Sequence, residues 1–305
     1  MSQMQSDPRA QLRLAHLMLT GRERCTQPDE PIRLVAAACA QRSAEALMYH
    51  AVLAARGHGR AQSFDDAFRF LEEAAALGDT RAKGQLMALG RGFDRNAWFG
   101  QLEQVQHHQA PRVSSIEGFL PKPVCSWLIK QACKNLVRAP VQRADDNAAF
   151  SLDNSRSNSV AGSSHLQPDL VVQLVNMRIA SAIGLPLAHQ EPTNFLNYKR
   201  GQEYTDHYDF FRSEEEAGFA HELRTIGQRV ATVLVYLNDG YEGGETAFPR
   251  LDWSFKGKLG DALIFWNLDV AGEREMNSLH AGRPVTKGEK WLLSKWVRQR
   301  PVPLI

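Results

Sequence analysis

The chain has 305 residues, of which 43% are hydrophobic and 23% charged, with 36 Lys and Arg against 34 Asp and Glu. That length exceeds one typical domain and sets two as the starting expectation. The near-balance of charge argues against nucleic acid or a membrane surface as a general partner. No apolar run approaches the roughly 18 residues of a membrane span, and the N-terminus MSQMQSDPRAQLRLAH lacks the apolar core of a signal peptide. Cys25, Cys39, Cys125 and Cys133 form no C-x-x-C pair and read as reduced thiols, so a cytoplasmic location is expected.

Residues 1–92 are rich in Ala, Leu and Arg and carry no strand signal. They repeat: Ala10, Ala46 and Ala82 are spaced by 36, as are Gly21 and Gly57, and Ala38 and Ala74. AEALMYHAVLAARGHG, a turn-like stretch and DDAFRFLEEAAALGD predict a helix–turn–helix unit, with small Ala at the helix crossings and Gly ending the first helix. Such a unit buries its apolar face only by stacking on a neighbour. This half resembles the Sel1-like branch of the tetratricopeptide repeats, with about two units and a further helix from Thr80 to Leu89. In the unit before Glu45–Asp79, the degenerate stretch PIRLVAAACAQRS stands in place of the second helix. The resemblance implies a docking surface for a protein or peptide; a structural cap on the second domain is the competing reading.

Residues 93–112 read as a connector with at most one short helix, ended at Pro111. His107 and His108 are adjacent, so on either a helix or a strand they point apart and read as solvated rather than as a metal site. From Val113 the rhythm changes. FLPKPVCSWLIKQACKNL and PDLVVQLVNMRIASAIGLP predict amphipathic helices, the second ended by Gly184 and Pro186. After Pro192 come short strands, TNFLNY, EYTDHYD, RVATVLVYLN, DALIFWNL and KWLLSKWV, separated by Gly-rich turns. Many short strands with turn signals predict a β-sandwich or jelly roll flanked by helices over 113–305, with the core motifs in 191–299. The expected fold class is therefore α+β: helical repeats followed by a double-stranded β-helix.

In EYTDHYDFF, His207 and Asp209 are two residues apart, and on a strand both side chains leave the same face. A third ligand must come from elsewhere, and His280 follows the turn region ending in MNSLH. Two histidines and a carboxylate on one face of an octahedron leave three positions open, which is how non-haem Fe(II) oxygenases bind an oxo-acid and O₂ together. An H-x-D spacing alone is close to chance. What lifts it is Lys290, ten residues beyond His280. On an alternating strand Lys290, Leu292, Ser294 and Trp296 share a face, and a lysine facing a barrel interior is costly unless an anion meets it. If Lys290 were instead a surface lysine of an edge strand, Arg283 or Lys287 would serve equally.

Region 195–298 resembles the catalytic domain of the prolyl 4-hydroxylases, a branch of the 2-oxoglutarate oxygenases. The motifs that carry the resemblance are NYKRGQEYTDHYDFF, VLVYLNDGYEGGETAFP, GDALIFWN and LHAGRPVTKGEKWLLSKWV, and the weaker stretch 113–190 fits through FLPKPVCSWLI and SRSNSVA. The resemblance implies that His207, Asp209 and His280 ligate Fe(II) and that Lys290 pairs with the distal carboxylate of 2-oxoglutarate. It places Tyr198 and Tyr236 at that co-substrate's pocket, with Ser294 and Trp296 completing its wall. Arg156 and Asn158 match the segment that closes over the peptide substrate. Read from the residues alone, Tyr236 is equally a core aromatic with a satisfied hydroxyl, and Trp296 a core residue. Gly243 and Gly244 read as a turn, Glu245 and Thr246 as structural, and His221, in the helix-like SEEEAGFAHELRTIG, as a surface residue. His165 and His189 lie outside any motif.

The implied reaction consumes O₂ and 2-oxoglutarate, releases succinate and CO₂ and hydroxylates a C–H bond of a prolyl side chain in a protein or peptide, with L-ascorbate rescuing oxidised iron. Three alternatives stand beside it: an adaptor with an inactive oxygenase fold, an oxygenase acting on a non-prolyl residue, and a cupin-like metalloenzyme with no use for Lys290.

Overall fold

The computed structural model describes residues 7–142, 150–151, 155–211 and 219–304; residues 1–6 of the expected repeat half and 213–218 of the expected insertion helix lie outside them. The chain divides into two compact units: Met1–Phe99, Ser164–Arg178 and Pro303–Ile305 form the first, Gly100–Ser163 and Ile179–Val302 the second.

The first unit is helical: α1 (Pro8–Leu19), α2 (Glu30–Ala40), α3 (Ala44–Arg56), α4 (Phe64–Ala76), α5 (Thr80–Leu89) and α6 (Arg95–Phe99). Five of these start at side-chain caps, where an oxygen accepts the orphan N–H groups of the first turn, Asp94 serving α6. Asp7 caps α1, Ser43 α3, Ser63 α4 and Asp79 α5. Gly57 ends α3 in the left-handed conformation, φ 68°. Every residue from Ala46 to Ala55 of α3 is buried, so this helix is covered on all sides. Ala46, Ala51, Ala54 and Ala55, fully covered, let neighbouring backbones approach closely. Leu12, Ala15, Val35, Ala38, Tyr49 and Leu53 join Ala46 in one cluster. The stretch PIRLVAAACAQRS, expected to be degenerate, folds as α2: Val35 and Ala38 bury one side, and the run Ala36, Ala37 and Ala38 favours the helix.

The second unit opens with the hairpin β1 (Val105–Gln109) and β2 (Arg112–Ile116), followed by α7 (Lys122–Ala132). β3 (Val137–Arg138), β4 (Val141–Gln142), β5 (Phe150–Ser151) and β6 (Ser159–Ser163) come next, β4 pairing with β5. After α8 (Leu170–Ile183) run β7 (Thr193–Lys199), β8 (Tyr204–His207), β9 (Arg229–Tyr236), β10 (Glu242–Gly243), β11 (Thr246–Phe248) and β12 (Trp253–Phe255). The chain ends with β13 (Ala262–Trp266), β14 (His280–Gly282), β15 (Val285–Lys287) and β16 (Glu289–Arg298). Eight strands form one sheet in the order β1-β2-β13-β9-β16-β7-β6-β3, and four form a second in the order β12-β11-β14-β8. Every pairing in both sheets is antiparallel.

One hydrophobic cluster takes side chains from both sheets. Leu196, Tyr198, Leu234, Leu263 and Leu292 come from the large sheet and Phe248 from the small one. Their even spacing along each strand is the alternation that puts one face of a strand inward. This is the jelly roll, or double-stranded β-helix, expected from the strand pattern.

The unit boundaries differ from the division read off the sequence at 92, 112 and 113. The connector 93–112 does not exist as one piece: α6 belongs to the first unit, while β1 and the start of β2 belong to the large sheet of the second. Residues 164–178, with the first two turns of α8, belong to the helical unit. Polar anchors explain this. Gln85 accepts the Leu170 N–H at 2.6 Å, Arg56 donates to Gln173 at 3.0 Å, and the Trp98 indole donates to the Leu174 carbonyl at 3.1 Å. None of these long-range pairings has a periodicity that a sequence reveals.

Candidate metal centre

β8 and β14 set His207 directly opposite His280, while Tyr204 pairs with Gly282. Three residue steps in β8 therefore face two in β14, a bulge that re-aims the side chains around it. Because of that extra residue Tyr204 and His207 share a face despite odd spacing, and their rings stack with centroids 3.5 Å apart. Asp209 lies two residues beyond the end of β8, in a bend rather than within the strand as expected. Its carboxylate nevertheless returns to the histidines. His207 Nε2 is 3.9 Å from Asp209 Oδ1, and His280 Nε2 is 3.6 Å from Oδ2. Ligand atoms of all three residues lie within 4.8 Å of one another, and among the described residues they form the one such metal-ligating group.

The ring orientations suit a metal. His207 Nδ1 meets the Thr205 carbonyl at 2.7 Å and His280 Nδ1 the Ser278 carbonyl at 3.0 Å. A carbonyl only accepts, so each Nδ1 carries the proton and each Nε2 presents a lone pair to the cluster. Burial, then the neighbouring His280, pushes the His207 pKa down to about 3, which keeps the imidazole neutral. Burial by itself would raise the Asp209 carboxyl; the two imidazoles, Arg229 and the Thr232 hydroxyl outweigh it and hold the group below its ordinary value. Two imidazole nitrogens and a carboxylate fit a divalent first-row metal.

Lys290 of β16 opens on the same cavity as the triad, together with Leu292, Ser294 and Trp296. It is 2% exposed, donates to the Gly244 carbonyl at 2.6 Å and has no ion-pair partner among the described residues. Burial lowers its pKa from 10.5 to about 7, against the pull of Glu245. The two other candidate cations are committed elsewhere: Arg283 sits 3.3 Å from Asp206 and Lys287 2.7 Å from Glu242, both at the surface. A buried ammonium facing a single carbonyl is the element that an anionic co-substrate would complete. Gly243 and Gly244 make the carbonyl available, with φ values of +68° and +69°, and a Cβ on Gly243 would stand 2.5 Å from the Pro284 carbonyl oxygen.

Tyr198 lines the cavity, and burial drives its pKa up to about 12, so its hydroxyl stays a neutral donor. Tyr236 is wholly buried and its hydroxyl meets Thr246 Oγ1 at 2.8 Å. Core packing and a bonded hydroxyl thus coexist at Tyr236, and it is Thr246 that reaches the cavity wall. Arg156, 9% exposed, donates from Nε to Asn158 Oδ1 at 2.9 Å and lies 4.8 Å over the Tyr204 ring, at the same cavity. Asn158 is fully buried behind it. His107 meets Ser115 Oγ at 2.8 Å, and both His107 and His108 pack on Trp253; neither belongs to the metal group. His221 is exposed, as expected.

Four residues at this site carried no signal in the linear reading. Tyr204 was hidden by strand parity. Arg229 pairs with Glu191 at 2.7 and 2.9 Å, stacks 3.6 Å from the Trp296 ring centre and reaches the Asp209 carbonyl at 3.4 Å. Behind Asp209 stand Thr232, whose hydroxyl donates to its Oδ2 at 2.7 Å, and Asn267, whose Nδ2 donates to that hydroxyl at 3.0 Å. Arg229 and Thr232 lie in RVATVLVYLN, where the apolar run was the only legible feature.

Residues 193–298 match the 2OG-Fe(II) oxygenase superfamily. The probable prolyl 4-hydroxylase 10 of Arabidopsis thaliana is 34% identical over 207 residues, which cover 62% of this chain and 69% of that protein. Prolyl 4-hydroxylase 5 of the same plant is 33% identical over 205 residues, covering 61% and 68% respectively. Among solved structures, the viral collagen prolyl hydroxylase from Paramecium Bursaria Chlorella virus-1, in its 2OG complex, aligns with a TM-score of 0.48. Its identity is 28%, over 61% of this chain and 95% of the viral one.

Proposed function

This chain belongs to the prolyl 4-hydroxylase family of 2OG-Fe(II) oxygenases, and from that premise we propose how its residues divide the work. The protein is a 2-oxoglutarate-dependent dioxygenase that hydroxylates prolyl residues of a protein or peptide, with O₂ as co-substrate and succinate and CO₂ as co-products. Its cofactors are Fe(II) and 2-oxoglutarate, and ascorbate is typical of prolyl hydroxylases.

Bound together at this site, the metal and the oxo-acid supply the oxidising power that turns a C–H bond into C–OH. The remaining work belongs to the protein. His207, Asp209 and His280 hold the iron, each imidazole locked in one tautomer by a backbone carbonyl. Lys290 takes the distal carboxylate of 2-oxoglutarate, assisted by Tyr198. Tyr236 acts one step back, by orienting Thr246. Leu196, Leu234 and Leu292 exclude water from the same cavity. Arg156 and Tyr204 form the side on which the prolyl residue is received, with Asn158 fixing the guanidinium.

The observation that carries this reading is the buried, ion-pair-free Lys290 in one cavity with the His–Asp–His group. A cupin-like metalloenzyme would have no use for such a cation, and an inactive adaptor would not be expected to keep both features. The decisive experiment measures succinate formed from 2-oxoglutarate with Fe(II) and a proline-containing peptide, in wild type, His207→Ala and Lys290→Ala. Turnover that survives Lys290→Ala at low 2-oxoglutarate would sink the co-substrate assignment. A 16 Da gain on a residue other than proline would move the substrate to another side chain.

The helical unit, read as Sel1-like repeats, is proposed to recruit the target protein. Its Ala-packed helices form a unit of their own, as a docking module requires. A cytoplasmic place of action is in keeping with four unpaired cysteines. No helix among the described residues is long and apolar enough to cross a membrane.

A further inference from the structure

We infer that Thr232 is a positioning residue for the iron-binding carboxylate, itself oriented by Asn267; this rests on the reading of His207, Asp209 and His280 as ligands. Thr232 Oγ1 lies 2.7 Å from Asp209 Oδ2, and Asn267 Nδ2 lies 3.0 Å from the same hydroxyl. Asp209 is 5% exposed, Thr232 1% and Asn267 0%. Water does not compete for these bonds, so each partner holds the next in a medium where hydrogen bonds are strong.

The direction of the chain is forced by chemistry. An ionised carboxylate only accepts, so the Thr232 hydroxyl must give its proton to Asp209. Its lone pairs then face Asn267, which must present its NH₂ and not its carbonyl. Asn267 is pinned for this task on its backbone as well: its N–H donates to the Val230 carbonyl and its carbonyl accepts from the Glu275 N–H. The first bond ties Asn267 to the strand that bears Thr232. The second ties it to the segment leading into His280.

The consequence concerns one torsion. Asp209 stands beyond the end of β8, outside the sheet ladder that fixes His207 and His280. Its carboxylate could rotate about its terminal bond, a torsion with broad minima. Thr232, on a central strand of the large sheet, holds Oδ2 and so fixes the plane in which the carboxylate meets a metal. A ligand carried on a bend is thereby given the precision of a strand.

The test titrates Co(II) into the metal-free full-length protein and follows its visible absorption, with anaerobic Fe(II) titration in parallel. Thr232→Val and Thr232→Ala remove the hydroxyl, Thr232→Ser keeps it, and His280→Ala serves as the ligand control. Loss of outer partners of metal ligands typically lowers affinity about ten- to hundredfold. That loss, with an altered Co(II) spectrum, is expected in the Val and Ala variants, and the Ser variant should remain within about threefold of wild type. Metal-free melting temperatures of the three variants separate a folding defect from loss of position, since a purely structural role would lower all melting points and leave the spectrum of the folded fraction unchanged. Wild-type affinity and spectrum in either folded hydroxyl-free variant overturns the inference. If His280→Ala also binds like wild type, it is the ligand reading that fails.

Discussion

His207 and His280 are direct cross-strand partners in the antiparallel pair of β8 and β14, with ring centroids 4.2 Å apart. Two histidines 73 positions apart in the chain thus become neighbours on one sheet face. Their Nε2 lone pairs converge, which no protein hydrogen bond satisfies as well as a metal ion does. Metal should therefore stabilise the fold. A ligand at hundredfold excess over its dissociation constant contributes about 2.7 kcal/mol. Fe(II) or Co(II) is expected to raise the melting temperature of wild type by several degrees, and EDTA to reverse it. In His280→Ala the shift should vanish, together with succinate formation.

Lys290→Met keeps the length of the side chain and removes the charge. Deleting one partner of a buried ion pair costs about 3–5 kcal/mol, so the KM for 2-oxoglutarate should rise on the order of a hundredfold or more. Initial-rate measurements over a wide range of 2-oxoglutarate check this. An unchanged KM would mean that another group holds the distal carboxylate.

The same lysine makes co-substrate binding pH-dependent. Its folded pKa, about 7 without an anion, lies below the ordinary 10.5 because burial opposes the charge. Below about pH 7 the ammonium is already protonated and 2-oxoglutarate binds at full strength. Above it, binding must take up a proton, so KM should climb by as much as about tenfold per pH unit. The co-substrate-free protein follows the opposite slope: the unfolded state holds more protons between pH 7 and 10.5, so this group's contribution to stability grows across that window. In Lys290→Arg the guanidinium stays charged, and KM should be flat from pH 6.5 to 8.5. A parallel rise in that variant would assign the pH dependence to another group.

Arg156→Ala should weaken the peptide substrate and spare the co-substrate. The guanidinium lies over the Tyr204 ring and is braced by Asn158. Loss of a charge-assisted contact costs about 1.5–3 kcal/mol, equivalent to a rise of about ten- to hundredfold in peptide KM. Peptide-independent succinate formation should stay close to wild type. If both fall together, Arg156 supports the metal site rather than the substrate.

In the helical unit, Ala54→Leu should overpack α3. Ala54 is fully covered, as are Leu53 and Ala55 beside it, and extra methylenes in a filled core cost about 1–3 kcal/mol. Urea unfolding should register that loss, while succinate formation in the absence of a protein substrate persists.

Part of the site is legible in the sequence itself. His207 and His280 gain meaning only in company, from the motifs around them and from Lys290 ten residues on, since a cation inside an alternating apolar strand needs an anion. Arg156 and Asn158 are picked out by motif alone; the fold sets Arg156 over the Tyr204 ring at the cavity, a neighbour the motif does not name. Asp209 joins the two histidines, but not for the reason the spacing suggests: the same-face argument assumes a continuous strand, yet β8 ends at His207. The expected connector 93–112 contains β1, and a five-residue edge strand with two histidines shows neither a strong alternation nor an apolar run in the sequence.

Local pattern settled what local forces govern. Caps, alanine-rich helix faces and the two-residue alternation of the strands depend on neighbours within a few positions, and they alone determined the two halves, most of the elements and the residue types able to hold a metal. Contacts across the sheets decided the rest. The bulge that brings Tyr204 onto His207, the capture of residues 164–178 by the helical unit and the Asn267–Thr232–Asp209 chain all join residues far apart in sequence. Their stability comes from burial, which removes water as a competitor for each hydrogen bond, and burial is a property of the assembled fold alone.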